Sequence, residues 1–256
     1  MIRVLKWVFV LVLLSLLGCV AFYSVYPDVA RLKRKNPGKT AFMEYREREW
    51  KAKGKALKIQ RKWVSYPHIS PYVIKAVIIS EDDKFWSHQG FDFDAMEKAL
   101  EKDLEQGKFK FGGSTISQQL VKNLYLSPSK SASRKLAEAV ITWRMERTLS
   151  KRRILELYLN VAEWGEGVFG VEAASLAYFG KPASSLDPEE ASRLAAVLPN
   201  PRRYKASGSA RFVERRARLI YRIMLRRGIV VEEYEEATHQ TENELLPPAG
   251  ENQPAP

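Results

Sequence analysis

The chain has 256 residues, enough for one sizeable core or one domain with a smaller lobe, and too few for two large catalytic domains. Its 42 Lys and Arg against 30 Asp and Glu give a net charge of +12, which suits nucleic acid, anionic lipid headgroups or a phosphorylated substrate without choosing among them. The single cysteine, Cys19, excludes a disulfide and a cysteine metal site from the rest of the chain.

Cys19 lies in an apolar run from Trp7 to Tyr26, broken only by Ser15, Gly18, Cys19 and Ser24, and long enough for the ~20 residues that cross a bilayer. Arg3 and Lys6 precede it, so residues 1–6 read as a cytoplasmic tip, 7–26 as an anchor and the rest as extracytoplasmic. A cleaved signal peptide competes with that reading, because Leu16-Leu17-Gly18-Cys19 has the form of a lipoprotein processing site that would acylate Cys19. Val20 to Val25 continue apolar past the cysteine, as a spanning helix requires, which favours the anchor. Residues 27–65 are polar and basic, with a turn at Asn36 to Lys39 and isolated apolar points at Phe42, Met43 and Trp50. They predict a membrane-proximal linker with some helix, its cations near the anionic bilayer surface or on a solvated stalk. Lys58 to Val64 predicts a short strand or extended segment.

A folded domain is expected over 66–240. Ser70-Pro71 reads as an N-cap and N1 pair, and Val73, Ile74, Val77 and Ile78 recur at helical spacing, so a buried helix should end near Glu81. Glu81 then stands at a negative helix end beside Asp82 and Asp83, with Phe85, Trp86 and His88 following as apolar walls and a polar tip. That setting suits a general base, against the alternative of a solvated helix end. Phe93 to Gln106 predicts a surface helix packed by its Phe93, Met96, Leu100 and Leu104 face. The Gly107 to Gly113 stretch mixes glycines, lysines and aromatics as a loop expected to be mobile over an open site. A glycine pair then feeds a helix start rich in hydroxyls and amides, Ser114, Thr115, Gln118 and Gln119, where free backbone N–H groups favour an anion and Lys122 adds a charge.

Ser133 to Leu149 predicts a helix with Leu136, Val140, Trp143 and Thr148 partly in the core, and with Arg134 and Glu138 on one face. That pair is a surface ion pair or, on the sharper reading, a second catalytic carboxylate held by a guanidinium. Further helices are expected over Lys151 to Asn160 and over Val171 to Phe179, which Gly180 ends. Another starts at Asp187-Pro188-Glu189-Glu190, and a long basic one runs from Ser209 to Arg227. A last acidic helix is expected from Val230 to Gln240, before a disordered tail over 241–256. With no repeats and almost no strand signal, the fold class is mainly α.

Five blocks in this order resemble the glycosyltransferase domain of peptidoglycan synthases, over about Asn36 to Tyr204. They are S-E-D-D-K-F-W-S-H-Q-G at 80–90, G-G-S-T-I-S-Q-Q-L-V-K-N at 112–123, and R-K-L-A-E at 134–138 with L-S-K-R-R-I-L-E-L-Y-L-N at 149–160. G-E-G-V-F-G-V-E-A-A at 165–174 and L-D-P-E-E-A-S-R-L-A at 186–195 complete the set. N-P-G-K-T-A-F-M at 36–43 points to the monofunctional, membrane-anchored branch, which lacks a penicillin-binding domain. Ser127-Pro-Ser-Lys130 matches the serine-nucleophile motif of that missing domain, but no K-T-G follows, so it reads as coincidence.

The resemblance implies a lysozyme-like helical domain with a smaller mobile lobe, anchored in the bacterial inner membrane and facing the periplasm. It implies attack of the 4-hydroxyl of an acceptor GlcNAc on C1 of a MurNAc whose leaving group is undecaprenyl pyrophosphate. By the same likeness Glu81 is the base, and Glu138 stands on the donor side, orienting the cations or helping to hold a divalent cation, Mg2+ or Mn2+. Lys122, Arg134 and Lys135 meet the pyrophosphate, while Asp82, Phe85 and His88 shape the base. Ser114, Thr115, Gln118, Gln119 and Asn123 hold sugar and phosphate oxygens. Lys130 departs from relatives that carry arginine there. The expected partners are lipid II, the growing glycan strand, the membrane, and transpeptidases with divisome or elongation proteins; no organic cofactor and no nucleic acid is expected. A lytic transglycosylase or lysozyme-type hydrolase, a membrane-tethered nucleic-acid binder and a cell-wall scaffold are the alternatives.

Overall fold

A computed structural model describes residues 2–106, 113–128 and 131–230; the predicted loop at 107–112, Ser129 and Lys130, and the acidic helix and tail from 231 lie outside them. Among the described residues the fold is mainly α, with three short strands. The first helix, α1 (Ile2–Val25), leaves Val4, Leu5, Trp7, Phe9 and most of its other apolar side chains exposed. A helix that is apolar all round yet unburied has the character of a membrane span.

Residues 27–65 are not a free stalk. Val29 and Leu32 enter the main core. Helix α2 (Ala41–Ala52) starts where the Thr40 hydroxyl accepts from the Met43 N–H at 3.3 Å. Met43 and Trp50 lie seven residues apart on one face and are buried against Phe169, a partner too distant in sequence for the pattern to reveal. The expected extended segment contains β1 (Gln60–Arg61). It pairs parallel with β3 (Val168–Phe169), which pairs antiparallel with β2 (Glu163–Gly165).

The core is built from α3 (Pro71–Glu81), α5 (Ile116–Tyr125), α7 (Lys151–Val161) and α9 (Pro188–Val197). Helix α5 packs on α6 (Ala132–Thr148) and α7; α10 (Arg211–Arg226) covers α9 and α3, and α8 (Val171–Phe179) lies over the strands. Side chains such as Val77, Leu120 and Leu157 are fully buried, each contributing about 1.5–3 kcal/mol through removal from water. The start of α9 is a capping box: the Glu190 N–H donates to Asp187 at 2.9 Å and the Asp187 N–H to Glu190 at 3.1 Å.

Two expected faces are corrected. On α6 the core residues are Ala137, Ile141 and Met145, while Trp143 is 51% exposed, with the Arg147 guanidinium over its ring at 4.8 Å. On α4 (Phe93–Gln106) the apolar stripe exists but is not packed, with Phe93 72% and Leu104 68% exposed. Helix α4 is attached near its start, where Lys84 donates to Asp94 at 2.5 Å and Gly113 passes so close that a Cβ there would meet Met96 Cα at 2.8 Å.

Candidate active site

Helix α3 ends because Asp82 leaves helical geometry, at φ −162° and ψ 74°, and turns its side chain inward. That carboxylate accepts from His88 Nε2 at 2.9 and 3.0 Å and from the Ile116 N–H at 2.8 Å. The Gly90 N–H donates to His88 Nδ1 at 3.0 Å, so Nε2 is the nitrogen that donates to Asp82. Asp82 thereby ties the C-terminal end of α3 to the N-terminal end of α5, where a first-turn amide lacks a helical partner.

The same joint absorbs other motif residues. Thr115 donates from its hydroxyl to the Gly90 carbonyl at 2.7 Å and accepts from the Gln118 N–H at 3.3 Å, while Gln118 Oε1 accepts from the Thr115 N–H at 3.0 Å. Phe85 is wholly buried. The structure therefore places Asp82, Phe85, His88, Thr115 and Gln118 in the wall that holds Glu81, with the polar atoms of Thr115 and Gln118 engaged in the cap.

Glu81 is the last residue of α3, and its side chain is 10% exposed. One oxygen accepts from Gln119 Nε2 at 3.1 Å, and Gln119 in turn accepts from the Tyr158 hydroxyl at 3.1 Å. The other accepts from Ser80 Oγ at 3.1 Å and from Arg216 Nη2 at 3.4 Å. Asp83 turns away to Arg227, at 2.6 and 2.9 Å, and that guanidinium holds its carboxyl below the usual range. The three successive carboxylates are thus not a like-charge cluster, since each has its own donors. A cavity of about 260 Å3 opens on one side of Glu81, with Lys84, Lys98 and Ser114 in its lining. A second, of about 240 Å3, lies beyond Gln119 and is lined by Lys122, Asn123, Tyr158, Arg46 and Arg202.

Glu138 has the opposite surroundings. Its side chain is 3% exposed, with one oxygen bound by Arg134 Nη1 at 2.5 Å and the other by Lys135 Nζ. Arg134 Nε is buried without a partner among the described residues, a donor left over beside the pair. Burial pushes the Lys122 ammonium below the ordinary lysine value; Arg134 and Lys135 push the same way, against the pull of Glu138 and Glu81. Lys122 therefore feels both carboxylates. Of the expected set, Ser114 and Asn123 line the two cavities, and Arg134, Lys135, Glu138 and Lys122 come together on the donor side.

The residues fit poorly with a resident metal. Both oxygens of Glu138 are already engaged by cations, and no group of three His, Cys, Asp or Glu side chains suited to an ion occurs among the described residues.

Sequence reasoning missed Arg216, Tyr158 as a polar group, and the buried pair in which Glu163 accepts from Arg46 at 2.7 and 3.0 Å. Burial pushes Glu163 above its ordinary value against the pull of Arg46. A signal for Arg216 did exist. Arg211, Arg215, Arg218, Arg222 and Arg226 form one exposed stripe on α10, and at about 100° per residue Arg216 falls roughly 120° away from it, toward the body.

A family model described as transglycosylase matches residues 50–225, a span that contains all five sequence blocks and both carboxylates. The chain belongs to the transglycosylase family. It is 52% identical over 190 residues to the biosynthetic peptidoglycan transglycosylase of Aromatoleum aromaticum, covering 73% of this chain and 83% of that one. The protein of that name from Methylobacillus flagellatus is 47% identical over 220 residues, 86% of this chain and 96% of the relative. That of Laribacter hongkongensis is 42% identical over 222 residues, 86% and 97%. This transglycosylase is an enzyme that transfers glycosyl groups, and its mainly α domain is the lysozyme-like one that the motifs implied.

Proposed function

We propose that this transglycosylase polymerises the glycan strands of peptidoglycan, moving the growing lipid-linked chain onto the GlcNAc 4-hydroxyl of lipid II. The observation that carries the reading is the contrast between Glu81, held by two neutral donors and one long guanidinium contact, and Glu138, saturated by Arg134 and Lys135, with Lys122 between them. The acceptor oxygen forms a bond to C1 of the donor sugar as its proton passes to Glu81. The C1–O bond to undecaprenyl pyrophosphate breaks, its electron pair leaves with the pyrophosphate, and attack from the opposite face inverts C1. Lys122, Arg134 and Lys135 stabilise the charge that develops on the leaving group, so no second acid is needed.

Glu138 keeps the two cations aimed at that charge. A Mg2+ or Mn2+ ion here takes its remaining ligands from pyrophosphate oxygens. Helix α1 anchors the enzyme by a single pass in the inner membrane, with the N-terminus cytoplasmic and the domain periplasmic. The product strand is what transpeptidases cross-link, so such enzymes, with divisome or elongation proteins, are the fitting partners.

The test is to incubate the detergent-solubilised protein with labelled lipid II and separate the products on a gel, with Glu81→Gln alongside. Long strands from the wild type and none from the variant support the reading. Cleavage of preformed glycan without use of lipid II replaces it with a hydrolase, and turnover of neither replaces it with a scaffold.

A further inference from the structure

Helix α6 runs beside the outward half of α1, in the same direction. At the far end Arg144 donates to the Tyr23 carbonyl at 2.9 Å and to the Val25 carbonyl at 2.8 Å, which pins the two helices together. About three turns earlier they part around a groove of about 510 Å3. Leu11, Val12, Leu16 and Cys19 form one wall, and Ala132 and Leu136 most of the other. Only Ser15 and Ser133 add hydroxyls to its lining.

The position of this groove is informative. Its α6 wall is interleaved in sequence with Arg134 and Lys135, so the apolar channel ends one residue from the cations that hold Glu138 and from the buried, unpartnered Arg134 Nε. An apolar slot walled by a membrane-type helix and closed at one end by guanidinium and ammonium groups is complementary to one kind of molecule. That molecule has a long hydrocarbon chain attached directly to phosphate. A bilayer phospholipid matches less well, because glycerol and two acyl chains separate its phosphate from the hydrocarbon.

Resting on the transferase reading above, we infer that the groove between α1 and α6 is the seat of the donor's polyprenyl chain. It holds the isoprene units nearest the pyrophosphate while Arg134, Lys135 and Lys122 take the phosphates. The anchor helix then does more than tether the enzyme: it forms half of the lipid subsite and sets the leaving group at the level of the cations.

Two measurements test this on the full-length protein in detergent or vesicles. The first is the ratio of kcat/KM for lipid II to that for a short-chain analogue. Ser15→Trp and Leu136→Trp fill the groove and should lower that ratio about tenfold, the loss of roughly two buried methylenes. Leu17→Trp, on the lipid-facing side of α1, should keep the wild-type ratio. An equal ratio in all four proteins overturns the inference.

The second measurement needs no turnover. A benzophenone-bearing polyprenyl phosphate should crosslink to peptides containing 11–19 and 132–136 of the wild type, and undecaprenyl phosphate should compete it away. Labelling spread around all faces of α1, or equal labelling by a benzophenone phospholipid that undecaprenyl phosphate does not displace, overturns it. If the wild type polymerises neither substrate, the functional reading fails, and the crosslink alone decides the groove.

Discussion

The two carboxylates of the site sit in walls of opposite design. Glu81 closes a buried apolar helix and is held by amide and hydroxyl donors, with a single guanidinium contact at 3.4 Å. Glu138 lies one turn into α6 and is clamped by two cations. Hydrogen bonds to neutral donors orient a carboxylate yet leave it able to accept a proton in the transition state. Two cations hold their partner ionised and direct the surplus positive charge outward. Two acids in one site therefore serve different ends, and the difference is written in their neighbours.

The sharpest way to break that contrast is Glu81→Gln, which keeps the shape and removes the base. Strand synthesis should fall by about 10²–10⁴, measured as turnover of labelled lipid II with binding retained. Next comes Lys122→Met, which removes a charged donor from the leaving group and should lower kcat by about 10²–10³. Lys122 also sets a pH dependence. Its ammonium lies below the ordinary lysine value of 10.5, so rising pH removes this charge earlier than it would a solvated lysine. Activity should therefore be present at low pH and decline on an alkaline limb below 10.5, and Lys122→Arg should move that limb upward.

Glu138→Gln should cost less, about 10–100-fold, because the cations remain and only their aim is loosened. Its effect should fall on kcat/KM for the lipid-linked donor. Gly90→Ala probes the joint that carries Glu81. The residue has φ +95°, and a Cβ there would meet Thr142 Cγ2 at 2.9 Å, so thermal unfolding should show a loss of about 1–3 kcal/mol.

Much of this fold was legible in the sequence, for local reasons. Ser70-Pro71 and Asp187-Pro188-Glu189-Glu190 mark helix starts by their own chemistry, and α3 and α9 begin there. The spacing of Arg134 and Glu138 was enough to pair them. What failed depended on distant partners. Met43 and Trp50 looked isolated because Phe169 lies more than a hundred residues away, and the stripe on α4 looked packed because periodicity reports amphipathicity without saying what, if anything, covers it. Likewise Glu81, Asp82 and Asp83 read as mutually repelling neighbours, whereas Arg216, His88 and Arg227 separate them in space. Thr115 and Gln118 carried a motif signature that the structure resolves into a helix cap.

The most direct test of the central claim is a side-by-side comparison of Glu81→Gln and Glu138→Gln in single turnover of labelled lipid II. If Glu81 alone takes the proton, its variant should lose at least about tenfold more of the chemical rate than the Glu138 variant, with lipid II still bound by both. Equal losses, or a larger one at Glu138, would contradict the division of labour read from their surroundings.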